Sequence, residues 1–262
     1  MKTVTIVLNG FKRQHTLKEQ IQAFKNQTYP IEKIMYWNLK SDDLRYQLDY
    51  NFLKKENIEY AETSHDYGTW GRFSFALNTK SDFICIYDDD IIPGPGYIQN
   101  CVETFEKQPG ILGLMGTVIT QDKGQWIQYG WRDFNNPNPV QVIYLYQSHF
   151  FPKEVLQAFW ASAPSWDLVC NRHLGEDLHI AFAAKKYFNL NAYVVPHPKN
   201  NKTIWGNIAG DRYGEDEHSI HLSNIQPKML DHLQYMINNH GYQIPTFKNF
   251  QEALQYGEWT HG

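Results

Sequence analysis

Asp88, Asp89 and Asp90 stand directly behind a short apolar run, Phe83-Ile84-Cys85-Ile86-Tyr87, and Pro93-Gly94-Pro95-Gly96 closes the segment. Adjacent carboxylates repel one another, so at the end of a buried strand they need a counter-charge, or one of them takes up a proton. A hard divalent cation meets that need: Mg2+ or Mn2+ takes one or two carboxylates plus substrate phosphate oxygens. A solvated acidic turn is the plainer reading, and the apolar run in front of the triplet weighs against it. A second acidic pair, Glu176-Asp177, opens a helical stretch over residues 175–186. Acids are favoured there by the helix dipole, and one of them within reach of a hydroxyl can act as a general base.

The elements that must position these groups alternate. Residues 4–8, 34–37, 58–61 and 83–87 read as strands, because each is short, apolar and rich in β-branched or aromatic residues. Between them lie helical patterns: one from Thr16, with Glu19 completing a capping box, one from Ser41 or Asp42 to about residue 55, and one over 69–78. Strand–helix alternation with short connections predicts a parallel, Rossmann-like sheet. A strand without polar alternation, such as 83–87, belongs in its covered middle. Its carboxyl end is where open α/β sheets bind ligands.

Further along, 97–107 reads as a helix, 111–119 and 140–146 as strands, 153–159 as a helix, 193–195 as a last strand and 226–241 as a C-terminal helix. Residues 121–138 form a loop or small hairpin, and Phe151-Pro152 only precedes a helix. The polar stretch 199–221 is long for a plain connector and suits an active-site lid. The expectation is one domain with a donor half over about 1–110, an acceptor half over about 111–225 and a helical tail over 226–262.

The bulk numbers narrow the class. A chain of 262 residues can bury a substantial core. Its net charge of −4 gives no electrostatic case for nucleic acid. Aromatic residues reach 15%, and the 17 Tyr and 8 Trp each carry a polar atom that suits a cleft wall or a sugar platform. Cys85, Cys101 and Cys170 match no zinc or redox spacing, which predicts reduced thiols in a cytoplasmic setting. No apolar run approaches a membrane span, and no signal-peptide pattern precedes the first strand; peripheral membrane contact is left open.

These motifs together resemble a GT-A glycosyltransferase of the family 2 type, with some likeness to exostosin-type transferase domains, over roughly residues 3–198. Val4-Thr5-Ile6-Val7-Leu8-Asn9-Gly10-Phe11-Lys12-Arg13 resembles the first strand and its nucleotide-binding turn. Gln27-Thr28-Tyr29-Pro30 and Ile34-Met35-Tyr36-Trp37-Asn38 resemble the next helix end and strand. Asp88-Asp89-Asp90 resembles the metal-binding Asp-X-Asp motif, and Gly175-Glu176-Asp177 with Leu178 and Phe182 resembles the acceptor-site Glu-Asp motif. Asn38 departs from the acidic residue expected after the second strand, as in exostosin-like domains. Gly68-Thr69-Trp70-Gly71-Arg72 replaces the usual glycine-rich stretch.

The resemblance implies a metal-dependent transferase that moves a sugar from a nucleotide-diphosphate donor, UDP-linked, to a glycan, lipid-linked sugar or protein acceptor. Asn9, Arg13, Asn38, Arg72, Asp88 and Asp89 are then donor contacts. Asp90 is the first choice as metal ligand and Asp88 the second, with His197, His218 or His221 completing the shell. Asp177 is the base and Glu176 orients the site, which implies inversion; retention stays open. Trp126, Trp131, Trp166 and Trp205 are candidates to stack on sugar, with specificity placed in 121–138 and 160–175. The competing readings are a nucleotidyltransferase, which needs a glycine-rich basic turn after the first strand, and a carbohydrate-binding protein without catalysis.

Overall fold

The computed structural model describes residues 1–130, 134–162, 175–206 and 226–259. In chain order its elements are β1 (Val4–Gly10), α1 (Gln14–Lys25), β2 (Lys33–Leu39), α2 (Tyr50–Lys55), β3 (Glu59–Thr63), α3 (Gly71–Ala76), β4 (Phe83–Tyr87), α4 (Tyr97–Lys107), β5 (Gly110–Gly113) and β6 (Met115–Thr120). There follow β7 (Trp126–Tyr129), β8 (Phe134–Asn135), β9 (Val140–Val142), β10 (Tyr144–Tyr146), β11 (Ser148–Pro152), α5 (Lys153–Ala161), α6 (Glu176–Phe188), β12 (Asn191–Val194), α7 (Gln226–His240), β13 (Thr246–Phe247), α8 (Phe250–Ala253) and β14 (Glu258–Trp259).

Eight strands make the central sheet in the order β3-β2-β1-β4-β11-β5-β12-β9. The β3-β2-β1-β4 block is parallel, as is β5-β12, while β11 and β9 run antiparallel to their neighbours. The expected mostly parallel α/β sheet flanked by helices is therefore present. Strand β4 explains why the apolar run lacks polar alternation. Ile84 and Ile86 face a core shared with Phe73 of α3, Phe159 of α5 and Ile180 of α6. Phe83, Cys85 and Tyr87 face the other layer, with Leu17, Ile21 and Phe24 of α1 and Ile98 and Cys101 of α4. Both faces are covered, so every position must be apolar. Among the described residues no helix is long and apolar enough to cross a membrane.

Several local expectations need correction. The strand expected over 111–119 is two strands in two sheets, β5 in the main sheet and β6 in a smaller one with β10, β13 and β7. The same split divides 140–146 into β9 and β10. Apolar continuity cannot reveal such corners, where a bent chain passes from one sheet to another. Helix α1 begins at Gln14, so Thr16 is not its cap; the Thr16 hydroxyl instead reaches the Arg13 and Asp89 carbonyls at 2.9 and 2.6 Å. The helix expected from Ser41 or Asp42 is a 3₁₀ turn at Leu44–Tyr46 and then the short α2, capped by Asp49. The helix expected over 69–78 is a 3₁₀ turn at Gly68–Trp70 running into α3. Strand β11, with Ser148 and His149 buried in mid-sheet, was not foreseen at all.

The described start of the polar stretch after β12 is docked. Gly94 N–H donates to Trp205 O at 3.2 Å, Gly96 N–H to Thr203 O at 2.7 Å, and Gly206 pairs with Pro93. Gly206 sits at φ +82°, and a Cβ there would meet Gly94 N at 2.0 Å. Gly206→Ala is therefore expected to destabilise the fold by ~1–3 kcal/mol, lowering the melting temperature by several degrees in scanning calorimetry. An unchanged melting temperature would show that this contact does not hold the segment.

Candidate functional site

Strand β4 delivers the acidic triplet to the carboxyl edge of the parallel block, and its three side chains part company there. Asp89 turns inward: it accepts hydrogen bonds from Phe11 N–H at 3.0 Å and from Arg13 Nη1 at 2.9 Å. Arg13 is itself buried and also lies 3.4 Å from Asp90 Oδ2. Asp89 and Arg13, expected as donor contacts, are thus engaged with each other in a buried pair. Asp90 keeps its Oδ1 without any partner. Burial, then repulsion from Asp88 and Asp89, pushes its carboxyl up to about 7. Asp88 pairs with Arg72 Nη1.

Arg72 is the hub. It is 5% exposed, at the start of α3. Besides Asp88, its guanidinium donates to Asn9 Oδ1 at 3.1 Å and to Glu176 Oε1 at 3.3 Å, and it stands 3.7 Å from Asp177 Oδ1. Gly175, left-handed at φ +94°, turns the chain into α6 so that Glu176 and Asp177 fall on its first turn. Burial raises both carboxyls; for Asp177 the next cause is Glu176, with Arg72 opposing. His149 of β11 completes the group, its Nε2 3.2 Å from Asp177 Oδ1. Burial, then the Arg72 charge, holds its pKa near 3, so the ring is neutral.

The expected donor contacts Asn9, Arg72 and Asp88 and the acids Glu176 and Asp177 therefore meet across a sequence separation of more than a hundred residues. Asn38 is buried nearby in a network of its own. Its Oδ1 accepts from Gln14 Nε2 at 3.0 Å and Tyr36 OH at 3.1 Å, and its Nδ2 donates to Glu62 Oε1 at 2.9 Å. Glu62, at the carboxyl end of β3 and held also by Tyr50 OH at 2.9 Å, is the half-buried acid at that edge. Its sequence neighbourhood gave no signal, because only the pairing of β2 with β3 sets Glu62 opposite Asn38.

His197 is not brought into the cluster. It is buried, its ring is stacked on Trp205 at 3.6 Å, and neither ring nitrogen has a partner. Burial holds its pKa near 3. Among the described residues no three His, Cys, Asp or Glu side chains are grouped to hold a metal ion. Trp205, 2% exposed, cannot serve as a sugar platform, and Trp126 is half-buried edge-on to Tyr144. Cys170, Trp131, Trp166, His218 and His221 lie outside the described residues, as does 207–221 of the expected lid.

The site fits a divalent cation on its charges. Among the described residues, Asp88, Asp89, Asp90, Glu176 and Asp177 are paired with Arg13 and Arg72 as cations, while His149 is neutral. The orphaned Asp90 oxygen and its raised pKa mark where positive charge is lacking. Asp88 and Asp90 supply the hard carboxylate oxygens that Mg2+ or Mn2+ takes alongside phosphate.

The expected fold, a large and mostly parallel sheet flanked by helices, is borne out by solved structures. No family model and no curated protein sequence matches the chain. Its structure is similar to that of TarS from S. aureus, a GT-A glycosyltransferase. The TarS 1-349 form aligns over 98% of this chain and 78% of that one, with TM-score 0.51 and 14% identity. The complex of that form with UDP aligns over 75% of this chain and 58% of that one, with TM-score 0.51 and 14% identity. The complex with UDP-GlcNAc aligns over 75% and 56%, with TM-score 0.50 and 14% identity. In both complexes this chain spans less than two thirds of the TarS length. At that identity the likeness establishes the fold.

Proposed function

We propose that the chain is a glycosyltransferase that moves a sugar from a nucleotide-diphosphate donor, UDP-linked, to a hydroxyl of a glycan, lipid-linked sugar or protein acceptor, with inversion. The observation that carries this reading is the convergence of Asp88, Arg72, Glu176 and Asp177 at the carboxyl edge of the sheet. The UDP and UDP-GlcNAc complexes of TarS favour a UDP-sugar donor.

In this mechanism Asp177 takes the proton of the acceptor hydroxyl as that oxygen attacks the anomeric carbon, and the bond to the diphosphate oxygen breaks on the opposite side. A carboxylate whose pKa is raised by burial is a stronger base than one in water. Glu176 and Arg72 fix its place. Asp88 and Asp90 would hold Mn2+ or Mg2+, which supplies positive charge beside the leaving diphosphate. Arg13 keeps Asp89 and Asp90 in place rather than touching the donor. A nucleotidyltransferase is disfavoured, because the stretch Asn9-Gly10-Phe11-Lys12-Arg13 at the end of β1 has one glycine and its Arg13 is engaged with Asp89. The role is in building a surface polysaccharide or glycan, on the cytoplasmic side.

The test is release of nucleotide diphosphate from UDP-, GDP-, CDP- and dTDP-sugars with Mn2+ and a panel of glycan acceptors, with the product's anomeric configuration read by NMR. Turnover of a UDP-sugar with inversion supports the proposal. Turnover of none of them refutes it. The Asp90 carboxyl adds a pH signature. Because its folded pKa lies near 7, above the unfolded value, the cation-free fold binds the extra proton and gains stability as pH falls from ~7 toward ~4. The same proton competes with the cation, so Mn2+ affinity should drop up to ~tenfold per pH unit below ~7, measured by calorimetric titration. A pH-independent affinity would remove Asp90 from the ligand set.

A further inference from the structure

His149 is a histidine in the middle of a sheet, where an apolar residue would be the ordinary choice. It is fully buried in β11, between β4 and β5, with Phe73 edge-on to its ring at 5.9 Å. Its Nε2 stands 3.1 Å from Leu145 O, and a carbonyl can only accept, so Nε2 carries the proton. Nδ1 is bare and without a partner. The same Nε2–H has a second acceptor in reach, Asp177 Oδ1 at 3.2 Å. At this distance the two atoms are in reach but make no hydrogen bond, and among the described residues Asp177 Oδ1 has no other hydrogen-bond partner; catalytic contacts often tighten only when substrate binds. Around Asp177 stand Glu176 on its own helix, Arg72 from α3, Asp88 behind β4, and Tyr144 and Tyr146 from β10.

We infer that His149 is a positioning residue: its neutral Nε2–H, shared between Leu145 O and Asp177 Oδ1, fixes the Asp177 carboxylate in the orientation that meets an acceptor hydroxyl. Asp177 lies on the first turn of α6, directly after the left-handed Gly175. Arg72 reaches it only at 3.7 Å while making closer contacts to Asp88 and Glu176. Among the described residues, the group from the sheet that approaches Asp177 Oδ1 at 3.2 Å is the imidazole, anchored at a second point by the Leu145 carbonyl. A neutral donor suits this role, since it holds the carboxylate without adding a charge that would suppress proton acceptance. The inference rests on the transferase reading above.

Two variants and one spectroscopic measurement test it. His149→Gln keeps a donor where Nε2 stood, and His149→Leu removes it while filling the space. The expected result is a kcat ~10–100-fold lower for His149→Leu at unchanged donor KM, the scale of a lost hydrogen bond to a charged group, with His149→Gln within about threefold of wild type. Equal kcat in His149→Leu and wild type, or equal losses in both variants, overturns the inference. Nitrogen NMR of histidine-labelled protein gives a readout that needs no turnover. The His149 Nε2–H resonance should move in Asp177→Asn, and an unmoved resonance overturns the contact even in a protein that transfers no sugar. Absence of transfer by the wild type would instead count against the proposed function and leave the NMR result to decide the contact.

Discussion

Asp177→Asn is expected to lower the transfer rate by ~10²–10⁴-fold while UDP binds as tightly as to the wild type. Asparagine keeps the shape and the approach of His149 and Arg72 but cannot take a proton. The proposed donor contacts Asn9 and Asp88 keep their own bonds to Arg72 when Asp177 is replaced, so binding is expected to be left intact. The pH profile carries the sign of the same group. Burial and Glu176 raise the Asp177 carboxyl well above the usual carboxylate range. The wild-type rate should therefore climb as pH rises through that raised value and the base loses its proton, and Asp177→Asn should flatten the climb. Steady-state rates across pH, with calorimetric UDP binding alongside, check both parts. A variant that transfers at the wild-type rate would place the base elsewhere.

Arg72→Ala is expected to cost ~3–5 kcal/mol of stability, because Asp88, Glu176 and Asp177 would be left without their shared cation in a buried site. Desolvation opposes a buried guanidinium, and the surrounding carboxylates Asp88, Glu176 and Asp177 offset it. The loss depends on pH. Without Arg72 the Glu176 and Asp177 carboxyls, already raised by burial, rise further in the folded state, so the variant's deficit grows as pH rises and shrinks as pH falls below their raised folded values, where wild type and variant both hold them protonated. Urea unfolding at pH ~8 and ~5 measures it. A deficit below ~1 kcal/mol, or one equal at both pH values, would mean that Arg72 is not the centre of the cluster.

The parts of this site that were legible share one property: their signal is local. The triplet is visible because β4 is buried on both faces, so five apolar residues end abruptly at Asp88. Glu176 and Asp177 are visible because they open a helix. The pairings were not legible, because they are set by sheet order. Nothing near Arg13 announces that α1 and the end of β4 bring it onto Asp89, and so a residue read as a donor contact is found in a buried pair with a carboxylate. Strand β11 is the largest gap. Ser148 and His149 interrupt any apolar pattern, and they are tolerated only because Tyr97 OH, Leu114 N–H and Leu145 O meet their polar atoms. Those partners are distant in sequence or lie in another strand. The same holds for Trp205 and His197, which read as platform and ligand but stack on each other in the interior.

The measurement that tests the central claim most directly is calorimetric titration of UDP, with and without Mn2+, into the wild type and Asp90→Ala. The account predicts binding to the wild type that depends on Mn2+ and is lost in Asp90→Ala, since that residue carries the unpartnered buried oxygen of the triplet. No binding of UDP, or of GDP, CDP or dTDP, to the wild type in the presence of Mn2+ would contradict it and leave the acidic cluster without a nucleotide to serve.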